Sequence, residues 1–339
     1  MFDDLATFQA ALATIHEPDE SVRQTILKDW DTRTKIPGSL GRLEEVAAVV
    51  GAAQRRRIPL MTFQALRLFA GSHGVTSEGV SPCPDEINDQ MYANFGIGGA
   101  AINCICRSNN IEFKAIDAGL ATPTANLRKG PAMTREETLQ ALALGWNSVP
   151  FKAHLFSVGE MGIGNTTAAA AIICAITGRS PKEVVGRGAG LDNAGVLRKI
   201  EVVEDSLKVN AEYCNTPFGI LQAFGGREIA AMTGALLGAC ARHIPVVIDG
   251  IIAGAASALA FELAPQCRNY FIGGHRSFEP GHTSFLEHYG IEPLINLYMR
   301  LGEGTGAAVA MGIIRNAVDA LNHMATFAEV GVIDVVNRG

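Results

Sequence analysis

From residue 65 onward the chain repeats one pattern, in which a short apolar run is followed by a polar, glycine-rich turn and then by a longer segment, often rich in alanine. Alternating strands and helices favour parallel pairing, so the pattern predicts an α/β fold with one parallel sheet and helices on both faces. Such sheets bind ligands at the carboxyl ends of their strands, where Glu160, Asp249 and His275 fall. The apolar runs are Leu66–Ala70, Phe113–Ile116, His154–Val158, Pro245–Ile248 and Tyr270–Ile272.

Helical patterns occupy both ends of the chain. Residues 3–35 predict two amphipathic helices separated at Pro18, and a further helix is predicted from Leu40. The segment 306–328 also predicts a helix, which we expect to pack on the N-terminal ones. Because 339 residues exceed the usual size of one core, we predict a small helical domain from residues 1–58 with 307–339, and a large α/β domain from residues 59–306.

Composition restricts the partners and the compartment. The net charge of −6 argues against a nucleic acid or an anionic membrane surface as partner. The N-terminus is acidic where a secretory signal is basic, and the apolar segment 161–178 is interrupted by polar residues and glycines. The seven cysteines are scattered, which is typical of core thiols in a reducing compartment. We therefore expect a cytoplasmic protein without nucleic-acid or membrane partners.

One carboxylate, Glu303, stands between Gly302 and Gly304, directly before a predicted helix that Thr305 is expected to cap. The first interpretation is a constrained loop that holds the carboxylate against apolar walls, which would raise its pKa toward neutrality and suit it to accept a proton. The alternative is a flexible connection with one solvated glutamate. The spacing alone leaves both open.

Two further glycine-rich stretches are candidates for binding phosphate. Gly159–Thr167 places three glycines between a predicted strand and a helix, so that backbone N–H groups and the helix dipole meet an anion, but a tight structural turn fits equally well. Gly186–Asp192 is followed by Lys199, which either neutralises a phosphate or is a solvated helix residue. We predict no metal site, because neither His73 nor His282 has a His or Glu partner three or four residues further along the chain.

Motifs along nearly the whole chain resemble those of one enzyme family, the nicotinate-nucleotide–dimethylbenzimidazole phosphoribosyltransferases of cobalamin lower-ligand synthesis. They occur in the family's order, which makes the resemblance far more specific than any single loop. The blocks are Gly38–Glu44, His73–Val75, Gly79–Ser81, Asp89–Met91, Gly98–Asn103, Gly159–Thr167, Gly186–Asp192, Gly225–Ala230, Asp249–Gly250, Ser277–His282, Leu301–Gly306 and Met324–Val330.

The resemblance implies a Rossmann-like parallel sheet, a small helical domain built from both termini, and a homodimer that needs no cofactor. It implies that Glu303 is the general base and that Glu160 is a second catalytic acidic residue. The remaining implied site residues bind substrate: Ser81 and Gln90 the incoming base, and Gly162, Gly188, Lys199 and Ser277 the phosphate.

Two positions depart from the commoner pattern of the family. Ser72 replaces an aspartate and Asn88 a threonine, both beside the expected pocket for the incoming base. The implied reaction on a different base is therefore one alternative, and a catalytically silent nucleotide-binding relative is another. A nicotinamide-dinucleotide oxidoreductase fits less well, because the glycine spacing of Gly159–Gly164 is wrong and no acidic residue follows about 20 positions later at the end of a second strand.

Overall fold

A computed structural model describes residues 2–333, and within them five strands form one parallel sheet in the order β2-β1-β3-β4-β5. The strand bounds are β1 Gln64–Ala70, β2 Ile111–Asp117, β3 Leu155–Met161, β4 Val246–Ile248 and β5 Phe271–Gly273. This order is that of a doubly wound fold. The chain leaves β1 toward one edge and returns to its other side at β3, so the topological switch point, where such folds bind ligands, lies between β1 and β3.

The helices cover both faces of the sheet, which confirms the predicted α/β fold. Over residues 2–333 they are α1 Leu5–Leu12, α2 Glu20–Asp31, α3 Arg42–Gln54, α4 Ile87–Ile97, α5 Ala101–Ser108, α6 Arg135–Ser148, α7 Asn165–Thr177, α8 Pro181–Val184, α9 Asn193–Val209, α10 Pro217–Phe224, α11 Arg227–Ala241, α12 Ile251–Leu263, α13 Pro280–Tyr289, α14 Thr305–His323 and α15 Phe327–Val330.

Every residue of β1 is buried, as expected of a central strand in a parallel sheet, and its side chains divide between two apolar clusters. Ala65 and Phe69 belong to a cluster that includes residues of α6, α7, α11 and α12. Leu66 and Leu68 belong to a second cluster, which includes residues of α2, α3, α5 and α14. Because side chains alternate along a strand, these clusters are the two faces of the sheet.

Of the helices near the two ends of the described chain, α2 and α3 lie with α14, whereas α1 packs through Phe8 and Leu12 into the first cluster, on the other face of the sheet. Trp30 of α2 and Ile314 of α14 share the second cluster, and the backbone of Arg33 pairs with Thr326 beyond α14. The same cluster also contains Leu155 of the sheet, so these helices pack on the large core as well as on each other. The division into domains at residues 58 and 306 stays a prediction, and its final segment, 334–339, lies outside the described residues.

Between residues 2 and 333, no helix is long and apolar enough to cross a membrane.

Candidate active site

The segments that follow β1, β3, β4 and β5 surround one cavity of about 280 Å³. Gln90, on α4, is exposed and lies outside the cavity wall, although its neighbour Met91 belongs to the wall. Lys199 also lies outside the wall, 1% exposed, behind Thr166. The structure therefore brings together six of the eight site residues that the sequence suggested: Ser81, Glu160, Gly162, Gly188, Ser277 and Glu303.

Glu303 lies on a loop that is held in an uncommon backbone conformation. Gly302, Glu303 and Gly304 have φ of +85°, +62° and +83°. A left-handed conformation costs a residue other than glycine about 1–3 kcal/mol, and such residues cluster at functional sites. The loop is pressed against β3, because a Cβ on Gly159 would overlap the Glu303 carbonyl oxygen. Glu303 is 6% exposed, so the solvated alternative is wrong.

The start of α14 is fixed by Asp249 and not by Thr305. The Thr305 hydroxyl donates to the Gly302 carbonyl at 2.7 Å and so closes the loop, while Gly304 occupies the N-cap position. The expectation that Thr305 caps the helix was wrong. Asp249 Oδ1 instead accepts the Ala307 N–H at 2.9 Å, in the first turn of α14. Asp249 therefore fixes the helix that carries the Glu303 loop.

Burial raises the pKa of both acids that the sequence placed in the site. The pKa of Glu160 rises to about 8 because of burial; the Asn165 side chain opposes this rise, and the charges of Asp249 and Glu228 add to it. Burial likewise raises the pKa of Glu303. The hydrogen bond from the Ile102 backbone N–H opposes this rise, and the charge of Asp249 adds to it. Within residues 2–333, Glu303 Oε2 is buried without a hydrogen-bond partner. A group of this kind is suited to accept a proton from a ligand.

The turn that leads from β3 into α7 forms another part of the wall. Gly164 is the N-cap of α7, and within residues 2–333 no side chain caps this helix. The N–H groups of Asn165 and Thr167 donate to the carbonyls of Gly162 and Gly164 at 3.0 and 2.9 Å, so the turn offers an anion the helix dipole and the remaining Thr166 N–H. Behind this turn, Lys199 Nζ donates to Thr166 Oγ1 at 2.7 Å. Burial lowers the pKa of Lys199 to about 8, and the charge of Glu279 opposes that shift. The solvated interpretation of Lys199 is therefore wrong.

Glu160→Gln is expected to change how stability depends on pH. The protonated Glu160 stabilises the fold fully below the unfolded pKa, and this contribution is lost as the pH rises through the folded value of about 8. The free energy of unfolding of the variant, relative to that of the wild type, should therefore increase with pH. Denaturant unfolding from about pH 5 to pH 8 measures this difference. A difference between the two free energies that stays constant over this pH range contradicts the raised pKa of Glu160.

Within the described chain, no group of three or more His, Cys, Asp or Glu side chains is arranged to hold a metal ion.

Comparison with known proteins identifies the family. A family model described as phosphoribosyltransferase matches residues 15–332. The nicotinate-nucleotide–dimethylbenzimidazole phosphoribosyltransferase of Desulforamulus reducens is 42% identical over 341 residues, which cover 95% of this chain and 97% of the relative. The enzyme of that name from Rhodobacter capsulatus is 44% identical over 93% of each chain. The chain belongs to this family of phosphoribosyltransferases.

The fold agrees with that of a solved relative. The crystal structure of CobT from Thermus thermophilus matches with a TM-score of 0.88 at 38% identity, covering 94% of this chain and 100% of that one.

Three residues of this phosphoribosyltransferase site had no role assigned from the sequence. Asp249 was placed at this edge of the sheet, and its Asp-Gly pair directly after a strand was the available signal. Glu279 Oε1 accepts the Gly188 N–H at 3.1 Å and so shapes the second glycine-rich loop. Thr166, which connects Lys199 to the cavity wall, carried no signal beyond its place in Gly159–Thr167.

Proposed function

We propose that this chain transfers the phosphoribosyl group of nicotinate mononucleotide to dimethylbenzimidazole, releasing nicotinate and forming α-ribazole phosphate for the lower ligand of cobalamin. The observation that carries the proposal is the placement of Glu303, with a buried, unpartnered carboxylate oxygen among residues 2–333, in the same cavity as the uncapped N-terminus of α7. The reaction needs both a proton acceptor and an anion site, and these two features of the cavity support it.

The proposed reaction is a displacement at the anomeric carbon of the ribose. One nitrogen of dimethylbenzimidazole forms the new N–C bond while the bond to nicotinate breaks, with inversion at that carbon. The leaving pyridinium already carries the positive charge, so nicotinate departs with the bonding electron pair and needs no proton. The second benzimidazole nitrogen becomes acidic as the new bond forms, and Glu303 takes its proton.

The remaining site residues have proposed binding roles. Ser81 and Gln90 contact the incoming base, and Gly162, Gly188, Lys199 and Ser277 hold the 5′-phosphate. Support for the phosphate site comes from the helix dipole of α7 and from the ammonium group of Lys199 behind Thr166. Holding both rings on opposite faces of the sugar supplies much of the expected rate, because orientation lowers the entropic barrier.

Glu160 has an electrostatic role in this proposal. It lies at the end of β3 in the cavity wall, with Oε1 3.4 Å from the Glu303 nitrogen. The positive charge of the bound pyridinium favours ionisation of Glu160, and the resulting carboxylate stabilises the oxocarbenium-like charge that develops on the ribose.

The direct test is an assay of the purified chain with nicotinate mononucleotide and dimethylbenzimidazole. We expect nicotinate and α-ribazole phosphate in equal amounts, identified by mass and by the anomeric proton signal of the product. Adenine and a phenol are each assayed in place of dimethylbenzimidazole. Faster turnover with one of them identifies that compound as the preferred base. A chain that binds the nucleotide but forms no product with any of these bases is a silent relative, which contradicts the proposal.

We also propose that the chain is a cytoplasmic homodimer that binds neither nucleic acid nor membrane. All seven cysteines are free, which suits a reducing compartment. The net charge of −6 offers no general attraction for polyanions. Near the cavity, Phe278, Tyr298 and Leu301 are 66%, 74% and 59% exposed, and such apolar side chains favour contact with a second subunit.

A further inference from the structure

Two buried side chains, Ser72 and Asn88, form a chain of hydrogen bonds across the crevice between β1 and β3. Ser72 Oγ donates to the Leu120 carbonyl at 2.8 Å and accepts from Asn88 Nδ2 at 3.2 Å. Asn88 Oδ1 accepts the Ile163 N–H at 2.8 Å. Ser72 and Asn88 are 8% and 1% exposed. We call this pair of side chains with its three hydrogen bonds the Ser72–Asn88 bridge.

The chemistry of the partners fixes the direction of the bridge. The Ile163 N–H can only donate, so the amide oxygen of Asn88 has to face it, and the amide nitrogen is left to donate to Ser72. The Ser72 hydroxyl uses its hydrogen in the bond to the Leu120 carbonyl, so its oxygen accepts the hydrogen bond from Asn88. Each of these buried groups is matched, and the loss of either side chain leaves a buried polar group without a partner.

The bridge joins two parts of the cavity wall at the topological switch point of the sheet. Ile163 lies in the turn between β3 and α7, on the side assigned to the phosphate. Asn88 lies in the first turn of α4, and Met91, one turn further, belongs to the wall on the side assigned to the incoming base. Ser72 anchors Asn88 to the segment that follows β1. Neither Ser72 nor Asn88 lines the cavity itself.

We propose that Ser72 and Asn88 are positioning residues that fix the separation between the phosphate turn and α4, and thereby determine which size of incoming base is accepted. The inference rests on the proposed function and deepens it for the same site. It assigns a selectivity role to two residues that act only through Ile163 and Met91, because their own polar groups are engaged within the bridge.

The first experiment needs no ligand and therefore does not depend on the proposed function. In Asn88→Ala the Ile163 amide loses its acceptor, so its hydrogen exchange should accelerate by roughly ten- to a hundredfold. The matched control is Asn210→Ala. Asn210 is also fully buried with two hydrogen bonds, to Leu127 and Ser206, but contributes nothing to the cavity wall. The control should leave exchange at Ile163 unchanged, and equal exchange in both variants overturns the bridge.

The second experiment separates positioning from general stability. Asn88→Ala should raise the KM for nicotinate mononucleotide by roughly ten- to a hundredfold with a smaller change in kcat. We also compare kcat/KM for dimethylbenzimidazole with kcat/KM for unsubstituted benzimidazole. The ratio of these two values should be roughly three- to tenfold closer to one in Asn88→Ala than in the wild type. Ser72→Ala should shift both quantities in the same direction, and Ser72→Thr, which keeps the hydroxyl, should restore them.

Kinetic values equal to those of Asn210→Ala in either Asn88→Ala or Ser72→Ala overturn the positioning role. If the wild type binds the nucleotide but does not turn over, the proposed function has failed. The bridge is then judged by the dissociation constant of nicotinate mononucleotide, which calorimetry should find weakened in Asn88→Ala and unchanged in Asn210→Ala.

Discussion

Glu303→Gln is expected to lower kcat by about 10²- to 10⁴-fold, the usual contribution of a positioned general base. The amide fills the same space but cannot take the proton that leaves the second benzimidazole nitrogen. Folding should survive, because ionisation of a buried acid with a raised pKa opposes folding as the pH rises, and the variant lacks that ionisation. The affinity for nicotinate mononucleotide should change little, since the proposed phosphate contacts lie elsewhere.

The pH profile provides an independent check on Glu303. The base has to be ionised to act, and burial raises its pKa, so kcat/KM of the wild type should fall as the pH decreases through that raised value. The residual activity of Glu303→Gln should lack this acidic limb, whereas Glu17→Gln, at an exposed site, should keep it. If Glu303→Gln keeps near-normal turnover, or if its activity falls at low pH as that of the wild type does, a group other than Glu303 accepts the proton.

The parallel sheet was predictable because apolar runs and glycine-rich turns are local features. The ends of the elements were not, because they depend on pairing between strands. The run after His154 was expected to end at Val158, but β3 continues to Met161, since Glu160 pairs with Phe69 and Met161 with Ala70. Glu160 is therefore a strand residue with a fixed backbone, and not a loop residue.

The site was predictable where a residue type and its motif coincide, as at Glu303, and less so where burial decides the role. The sequence around Lys199 is that of an ordinary amphipathic helix, and it is the tertiary packing, which places its Nζ against Thr166, that makes this residue 1% exposed. Gln90 belongs to a matching motif but is exposed on α4, so its contact with the base stays a prediction.

The Ser72–Asn88 bridge could not be predicted from local sequence at all. Ser72 lies 48 residues before its partner Leu120, and Asn88 lies 75 residues before its partner Ile163. In the sheet β1 lies between β2 and β3, and this arrangement brings the segments that follow the three strands together. Hydrogen bonds of this kind depend on the tertiary fold, and no local pattern joins their members.

Lys199→Ala is expected to lower the affinity of the protein for nicotinate mononucleotide by roughly ten- to a hundredfold or somewhat more, which corresponds to the loss of one charge-assisted contact. Free nicotinate and dimethylbenzimidazole lack the phosphate and should bind nearly as well as before. Lys199→Met separates charge from packing, because it keeps most of the buried side-chain volume. Calorimetric titration of each variant with the three ligands measures these affinities.

The wild type should also show a pH dependence that both variants lack. Burial lowers the pKa of Lys199 to about 8, so a growing fraction of the free protein carries a neutral amine as the pH rises past that value. The phosphate binds the ammonium form, so nucleotide affinity should fall above about pH 8, while the affinity for free nicotinate should not follow that curve. Equal nucleotide affinity in the wild type and Lys199→Met across this range contradicts a phosphate site that includes Lys199. If Lys199→Ala lowers the affinity for all three ligands and Lys199→Met lowers none of them, the lysine only supports the packing of α9 against α7.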